Sequence, residues 1–203
     1  MKKLLLILII YLVSNSLYAL ELKGTFYQGN FIVGKTNPDS KVFIDKKQIK
    51  VSSKGLFGFG LSKDRKKDVS IKIIQNNETK KFIKKIFKKT YKVQRIDGLP
   101  KKQVTPPKEV YEKIKQDNRL IAKARSVESD LIFFSNKFKM PLNNSIITGV
   151  YGSQRILNGI PKSPHYGLDF AAKEGTKIKA MLDGVVTLSE KDLYYTGGTI
   201  IFD

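Results

Sequence analysis

The 203-residue sequence contains no cysteine, no tryptophan and a single histidine, His165. Without cysteine there can be no disulfide and no thiolate metal site. A lipoprotein anchor, which needs a cysteine, is excluded as well. The compartment stays open, because an exported protein can do without bridges. Acidic residues are scarce: 18 Asp+Glu face 38 Lys+Arg, a formal charge of +20. The excess is almost all lysine, a hydrated point charge rather than a planar recognition fork. It favours diffuse attraction to polyanions over base reading. Nucleic acid, anionic lipid headgroups and anionic cell-wall polymers all qualify, and an AT-rich coding sequence would also account for the lysines. Long apolar runs are missing too. Leu4 to Val13 is unbroken but falls short of the roughly 20 residues that a spanning helix needs. The hydrophobic fraction of 41% still suffices for a buried core.

That short run lies in the setting of an export signal. Lys2 and Lys3 precede it, Ser14, Asn15 and Ser16 come after it, and Ala19 is a small residue suited to cleavage. Residues 1–19 read as a signal peptide, with an uncleaved anchor as the alternative. The chain is therefore expected to be exported, to the periplasm or cell envelope, with no stable membrane span after cleavage. Export argues against nucleic acid as the partner of the lysines.

Residues 20–92 read as all-β. Thr25–Tyr27, Phe31–Val33, Lys41–Ile44, Phe57–Gly60 and Val69–Ile74 are short β-rich runs. Asn37-Pro38-Asp39-Ser40, Asp45-Lys46-Lys47, Ser52-Ser53-Lys54-Gly55 and Gln75-Asn76-Asn77 separate them with turn chemistry. Val69, Ile71 and Ile73 alternate with Ser70 and Lys72, the period of a strand with one face buried. A small β-sandwich of immunoglobulin-like size is predicted. Residues 79–92 interleave Lys80, Lys81, Lys84, Lys85, Lys88 and Lys89 with Phe82, Ile83, Ile86 and Phe87. An amphipathic membrane-surface helix and an edge strand blunted by lysines both fit, and the edge strand is the expectation.

Residues 93–140 form the expected linker and amphipathic helix. Thr105 is placed to cap the helix, with Pro106 at its first position. Leu120, Ala124, Val127, Leu131 and Phe134 fall on one helical face, and Pro141 ends it. The helix should pack along the C-terminal domain. Residues 141–203 return to β, with strands expected at Ile178–Met181, Gly184–Leu188 and Thr199–Phe202 and a turn at Asp183-Gly184. Tyr194 and Tyr195 read as hairpin packing or as the rim of a groove. The fold class is thus mainly β: an N-terminal sandwich, a helical linker and the first part of an antiparallel sheet domain.

The chemistry is concentrated in Pro164-His165-Tyr166-Gly167-Leu168-Asp169. Imidazole and carboxylate both suit zinc. In a straight strand their Cα atoms would lie about 13 Å apart, too far to share an ion. The pair needs a turn at or near Gly167.

The wider string makes the pattern specific. Gly149-Val150-Tyr151-Gly152-Ser153-Gln154-Arg155 comes first, then Asn158-Gly159, then Ser163 to Ala171, which holds His-x-Gly-x-Asp. Gly175-Thr176, Ala180 and Asp183-Gly184-Val185-Val186 complete it. It resembles the lysostaphin/LytM-type zinc metalloendopeptidases in order and approximate spacing over residues 141–203. Residues 20–140, with Gln94 to Pro100, more loosely resemble the leader domain and linker of exported members. The resemblance implies that His165 and Asp169 are zinc ligands and that the substrate is the peptide cross-bridge of peptidoglycan. Anionic envelope polymers are possible further partners. Arg155 would steer or brace the site or serve the sheet as a structural arginine. Asn158 would shape the loop or face the substrate groove. The family's third ligand and its catalytic histidines lie in later segments, so no catalytic residue is expected within this chain, which reads as a C-terminally truncated member. A non-catalytic wall-binding or hydrolase-activator module is the alternative.

Overall fold

The computed structural model describes residues 20–143 and 145–203, with the backbone alone for Lys102 and Gln103. The signal-peptide reading of residues 1–19 lies outside the described residues. Strand accounts for 37% and helix for 13% of the structure, so the fold is mainly β.

Seven strands build the N-terminal part: β1 (Glu21–Lys23), β2 (Phe31–Lys35), β3 (Lys41–Ile44), β4 (Lys47–Ile49), β5 (Leu56–Gly60), β6 (Val69–Gln75) and β7 (Glu78–Lys84). They pair antiparallel in two sheets, β1-β2-β5 and β4-β3-β6-β7. Ile32, Val42, Phe57, Phe59, Val69, Ile71 and Ile73 fill the core. This is the predicted sandwich, and alternation produces it: Val69, Ile71 and Ile73 are buried while Ser70 and Lys72 are not. Phe57 and Phe59 stack with centroids 6.4 Å apart. Gly34 pairs with Phe57 across the sheet, where a Cβ would collide with the phenyl ring. Asn76 and Asn77 both adopt left-handed conformations, φ 47° and 62°, which suit the tight β6–β7 hairpin.

One local expectation changes here, and the edge strand expected in the basic run is found. Thr25–Tyr27 is no strand. Gly24 (φ 117°) breaks the extended run, and the Asn30 amide donates to the Thr25 carbonyl and hydroxyl at 3.1 and 2.7 Å. Only Tyr27 forms a bridge, parallel to Phe87. The basic run 79–92 is not a helix: it is β7 and an extended continuation. Pairing with β6 sets a period of two that turns Phe82 and Ile86 toward the core. Lys80 and Lys84, opposite Ile73 and Val69, sit on the inward side of this edge strand, a placement that discourages pairing with another chain.

The rest comprises β8 (Val93–Ile96), α1 (Lys101–Val104), α2 (Tyr111–Arg125), β9 (Ile146–Gly149), β10 (Gln154–Leu157), β11 (Ile160–Pro161), β12 (Asp169–Ala171), β13 (Val186–Leu193) and β14 (Gly197–Phe202). β10 pairs antiparallel with β11 and parallel with β8, so the linker supplies a strand to the C-terminal part. β9–β12 and β13–β14 are separate antiparallel pairs.

The helix is shorter than predicted and begins later. Thr105 ends α1, its N–H bonded to the Lys101 carbonyl, rather than starting a helix. Pro106 and Pro107 force the residues before them out of the helical region. α2 opens at Tyr111 after one 3-10 turn and closes at Arg125, where the Ser126 hydroxyl donates to the Lys123 carbonyl at 2.8 Å. Val127, Leu131 and Phe134 therefore lie beyond it. Its buried face carries Asp117 and Ala124. Asp117 accepts the Tyr194 backbone N–H at 2.7 Å, and Lys113 donates to the Asp192 carbonyl at 2.6 Å. The helix is thereby docked on the β13–β14 hairpin, whose turn holds Tyr194 and Tyr195. Ile178–Met181 forms no strand. Lys179 N–H bonds to the Pro141 carbonyl and Lys139 N–H to that of Met181, but Pro141 has no N–H with which to extend a ladder.

Asp45, at the β3–β4 turn, receives both terminal nitrogens of Arg65 at 2.9 and 3.0 Å and the Ser70 N–H at 3.2 Å. The Arg65 hydrogen bonds hold its carboxyl below the usual carboxylate range, with burial opposing. A depressed folded pKa gives stability that is complete above the unfolded value, about 3.9, and is lost as pH falls through the folded value. Asp45→Asn keeps a residue suited to φ 55° and should cost up to about 1 kcal/mol at neutral pH, since the pair is partly exposed. In urea titrations the gap between variant and native protein should narrow as pH falls below about 4.

Candidate metal centre

The site is assembled from three backbone segments. Asp169 is the first residue of β12 and pairs with Gly149 on β9. His165 is held by its backbone: its N–H donates to the Ser153 carbonyl at 2.8 Å, and its carbonyl accepts the Gly152 N–H at 2.7 Å. Between the two the chain bends at Gly167, as the spacing demanded. The bend brings His165 Nε2 to 3.0 Å from Asp169 Oδ1. Arg155, on β10, reaches the other oxygen, with Nη2 2.8 Å from Oδ2. Each carboxylate oxygen thus has its own partner.

Close approach depends on Gly149. A Cβ there would run into Asp169 Oδ2 and lie 3.1 Å from His165 Cε1. Gly149 belongs to the motif string, but as a site residue it was missed. The signal was its place in the string; its cause, a carboxylate pressed against the neighbouring strand, is visible only in three dimensions.

The imidazole side chain is 12% exposed and the carboxylate 46%. Nε2 and Oδ1 stand within ion-pair distance of each other. Nδ1 is buried without a hydrogen-bond partner, as is Arg155 Nε. Gln94 Oε1, beside Arg155 in the parallel β8–β10 register, is a third such atom.

Zinc ligand atoms in a tetrahedral shell lie about 3.3 Å apart, given bonds of about 2.0–2.1 Å. An opening of a few tenths of an ångström at Nε2 and Oδ1 would therefore admit the ion, and the two donors fit as part of a set. The set is incomplete: among the described residues no group of three or more His, Cys, Asp or Glu is placed to hold a metal. With zinc on Nε2 a neutral imidazole would carry its proton on Nδ1, which has no hydrogen-bond partner among the described residues, so the usual supporting hydrogen bond is also missing.

Asn158 has a different position from the other three. It stands at φ 46° in the β10–β11 turn, next to Gly159 at φ 77°. Its Oδ1 accepts the Leu99 N–H at 3.0 Å and its Nδ2 donates to the Leu99 carbonyl at 2.7 Å. The amide reproduces a strand's hydrogen-bond pair and fastens the linker to β10. Tyr195 faces α2, where it shares a hollow with Tyr111 and Arg119.

Asn158→Ala should lower stability by about 1–3 kcal/mol, since two backbone partners are released and a left-handed turn residue is lost. Urea unfolding measures this, and faster proteolysis near Leu99 should accompany it. Gly149→Ala should instead displace Asp169, with the His165 imidazole resonances shifting in NMR spectra while β7 resonances stay unmoved.

No family model matches the chain, and no curated protein matches it.

Proposed function

We propose that this chain carries the first part of an exported zinc metalloendopeptidase that hydrolyses the peptide cross-bridges of peptidoglycan. The observation that carries the reading is the convergence of His165 Nε2 and Asp169 Oδ1 to 3.0 Å across the bend at Gly167. This is the ligand pair that the LytM-type motif string implies. His165 and Asp169 would hold the ion. Arg155 fixes Oδ2 and so aims Oδ1 at the imidazole, and Gly149 leaves the room. Bound there, zinc supplies Lewis acidity toward an amide carbonyl and a water molecule.

Two donors do not make a catalytic zinc site, which ordinarily has three protein ligands and a water. His165 is the only histidine of the 203 residues, so the reading requires a third ligand and a general base from further polypeptide. The exposed Ile146 (72%), Ile178 (78%) and Ile200 (61%) offer apolar surface that further strands of such a domain would cover. The single histidine equally motivates the second reading, a non-catalytic wall-binding or hydrolase-activator module.

The 203-residue chain should bind zinc weakly, lose it on dialysis, and release no peptide from purified sacculi. The weak zinc response of the His165 imidazole in NMR titration should vanish in Asp169→Ala. The deciding experiment reads the coding sequence beyond the Asp203 codon and assays the longest frame on sacculi. A frame with a His-x-His pair and peptide release that His165→Ala abolishes supports the enzyme. An immediate stop codon rejects catalysis by this product and favours the binding module.

A further inference from the structure

The positive charge is concentrated in one part of the molecule. Residues 20–92 hold 19 Lys+Arg against 6 Asp+Glu, and residues 93–203 hold 17 against 12. In the sandwich, the edge strand β7 and its extended continuation order the charge further. Phe82 and Ile86 pack on the core, so the odd-numbered residues point away from it. Those are Lys81, Ile83, Lys85, Phe87 and Lys89, cation and apolar group in strict alternation. Lys85 Nζ lies 5.9 Å from the Phe87 ring, as neighbours on one side of an extended chain should. Lys72 stands directly opposite Lys81 on β6 and packs over Phe43 at 4.2 Å.

Two features of this row point to a partner outside the molecule. Lys72, Lys81, Lys85 and Lys89 form no ion pair with a carboxylate among the described residues. Two lysines facing each other across a strand pair repel. Ile83, opposite Ser70, is 59% exposed, and Phe87, 48% exposed, meets the Tyr27 ring, itself 44% exposed, with centroids 5.4 Å apart. A soluble polyanion would use the lysines but has no use for an exposed isoleucine between them. An acidic bilayer uses both: headgroups take the ammonium groups while the apolar tips enter the interface. From Lys81 to Lys89 the row spans about 26 Å at roughly 3.3 Å per residue.

We propose that the outward row of β7 and its continuation is a peripheral docking surface for an anionic phospholipid membrane. It acts in extended form, without a spanning or amphipathic helix, and owes nothing to the zinc reading.

The test is cosedimentation of the full chain with phosphatidylcholine vesicles, alone or mixed with phosphatidylglycerol, and in parallel its binding to soluble polyphosphate. Binding should require phosphatidylglycerol and fall with salt. The triple variant Lys81→Gln, Lys85→Gln, Lys89→Gln should weaken it about a hundredfold, from roughly fivefold per lysine at an acidic surface. Ile83→Ser should weaken vesicle binding about tenfold and leave polyphosphate binding unchanged. Equal binding to neutral vesicles, or vesicle binding that the lysine variant leaves intact, overturns the proposal. So does an Ile83→Ser variant with unaltered vesicle affinity, which would make the row a site for soluble polyanions. These are surface substitutions, and unchanged thermal unfolding verifies that the fold is kept.

Discussion

The Asp169 carboxylate is the point on which the C-terminal half turns. One oxygen meets His165 and the other meets Arg155, so a single side chain joins the start of β12, the bend at Gly167 and the middle of β10. Through the parallel ladder from β10 to β8 the connection reaches residues 93–96. The ion pair itself is partly exposed and contributes little energy. Its importance is geometric: it selects one orientation of the carboxylate, the one in which Oδ1 and the imidazole converge.

Much of the fold could be read from the sequence because its signals are local. Val69, Ile71 and Ile73 announced a half-buried strand, and Asn76-Asn77 announced the hairpin after it. The helix was misplaced because its apolar spacing continues through Val127 to Phe134 while two prolines and Ser126 set the actual limits. For the site, His165, Gly167 and Asp169 could be found from types and spacing alone. The roles of Arg155 and Asn158 could not, because each depends on a partner 14 or 59 residues away, and nothing local records such distances.

The two halves are also stabilised differently. The sandwich has an alternating, largely apolar interior, with Thr36 and Ser40 as buried polar exceptions, and carries its charge on edges and faces. Residues 141–203 bury few large side chains and rely on backbone ties, such as those between His165 and the segment from Gly152 to Ser153. Chemistry is placed where the packing is sparse and the main chain is tightly tethered, and charge where packing is dense.

The parallel ladder between β8 and β10 has a consequence for how the polypeptide matures. Its partners stand about sixty positions apart, Gln94 beside Arg155, whereas the sandwich hairpins join neighbours. Contacts that distant form slowly, and domains emerging first from the ribosome settle first. The sandwich can condense while β10 is still unmade, and Val93–Ile96 must wait as an unpaired strand. During that interval the open edge is available to a chaperone or to another nascent chain.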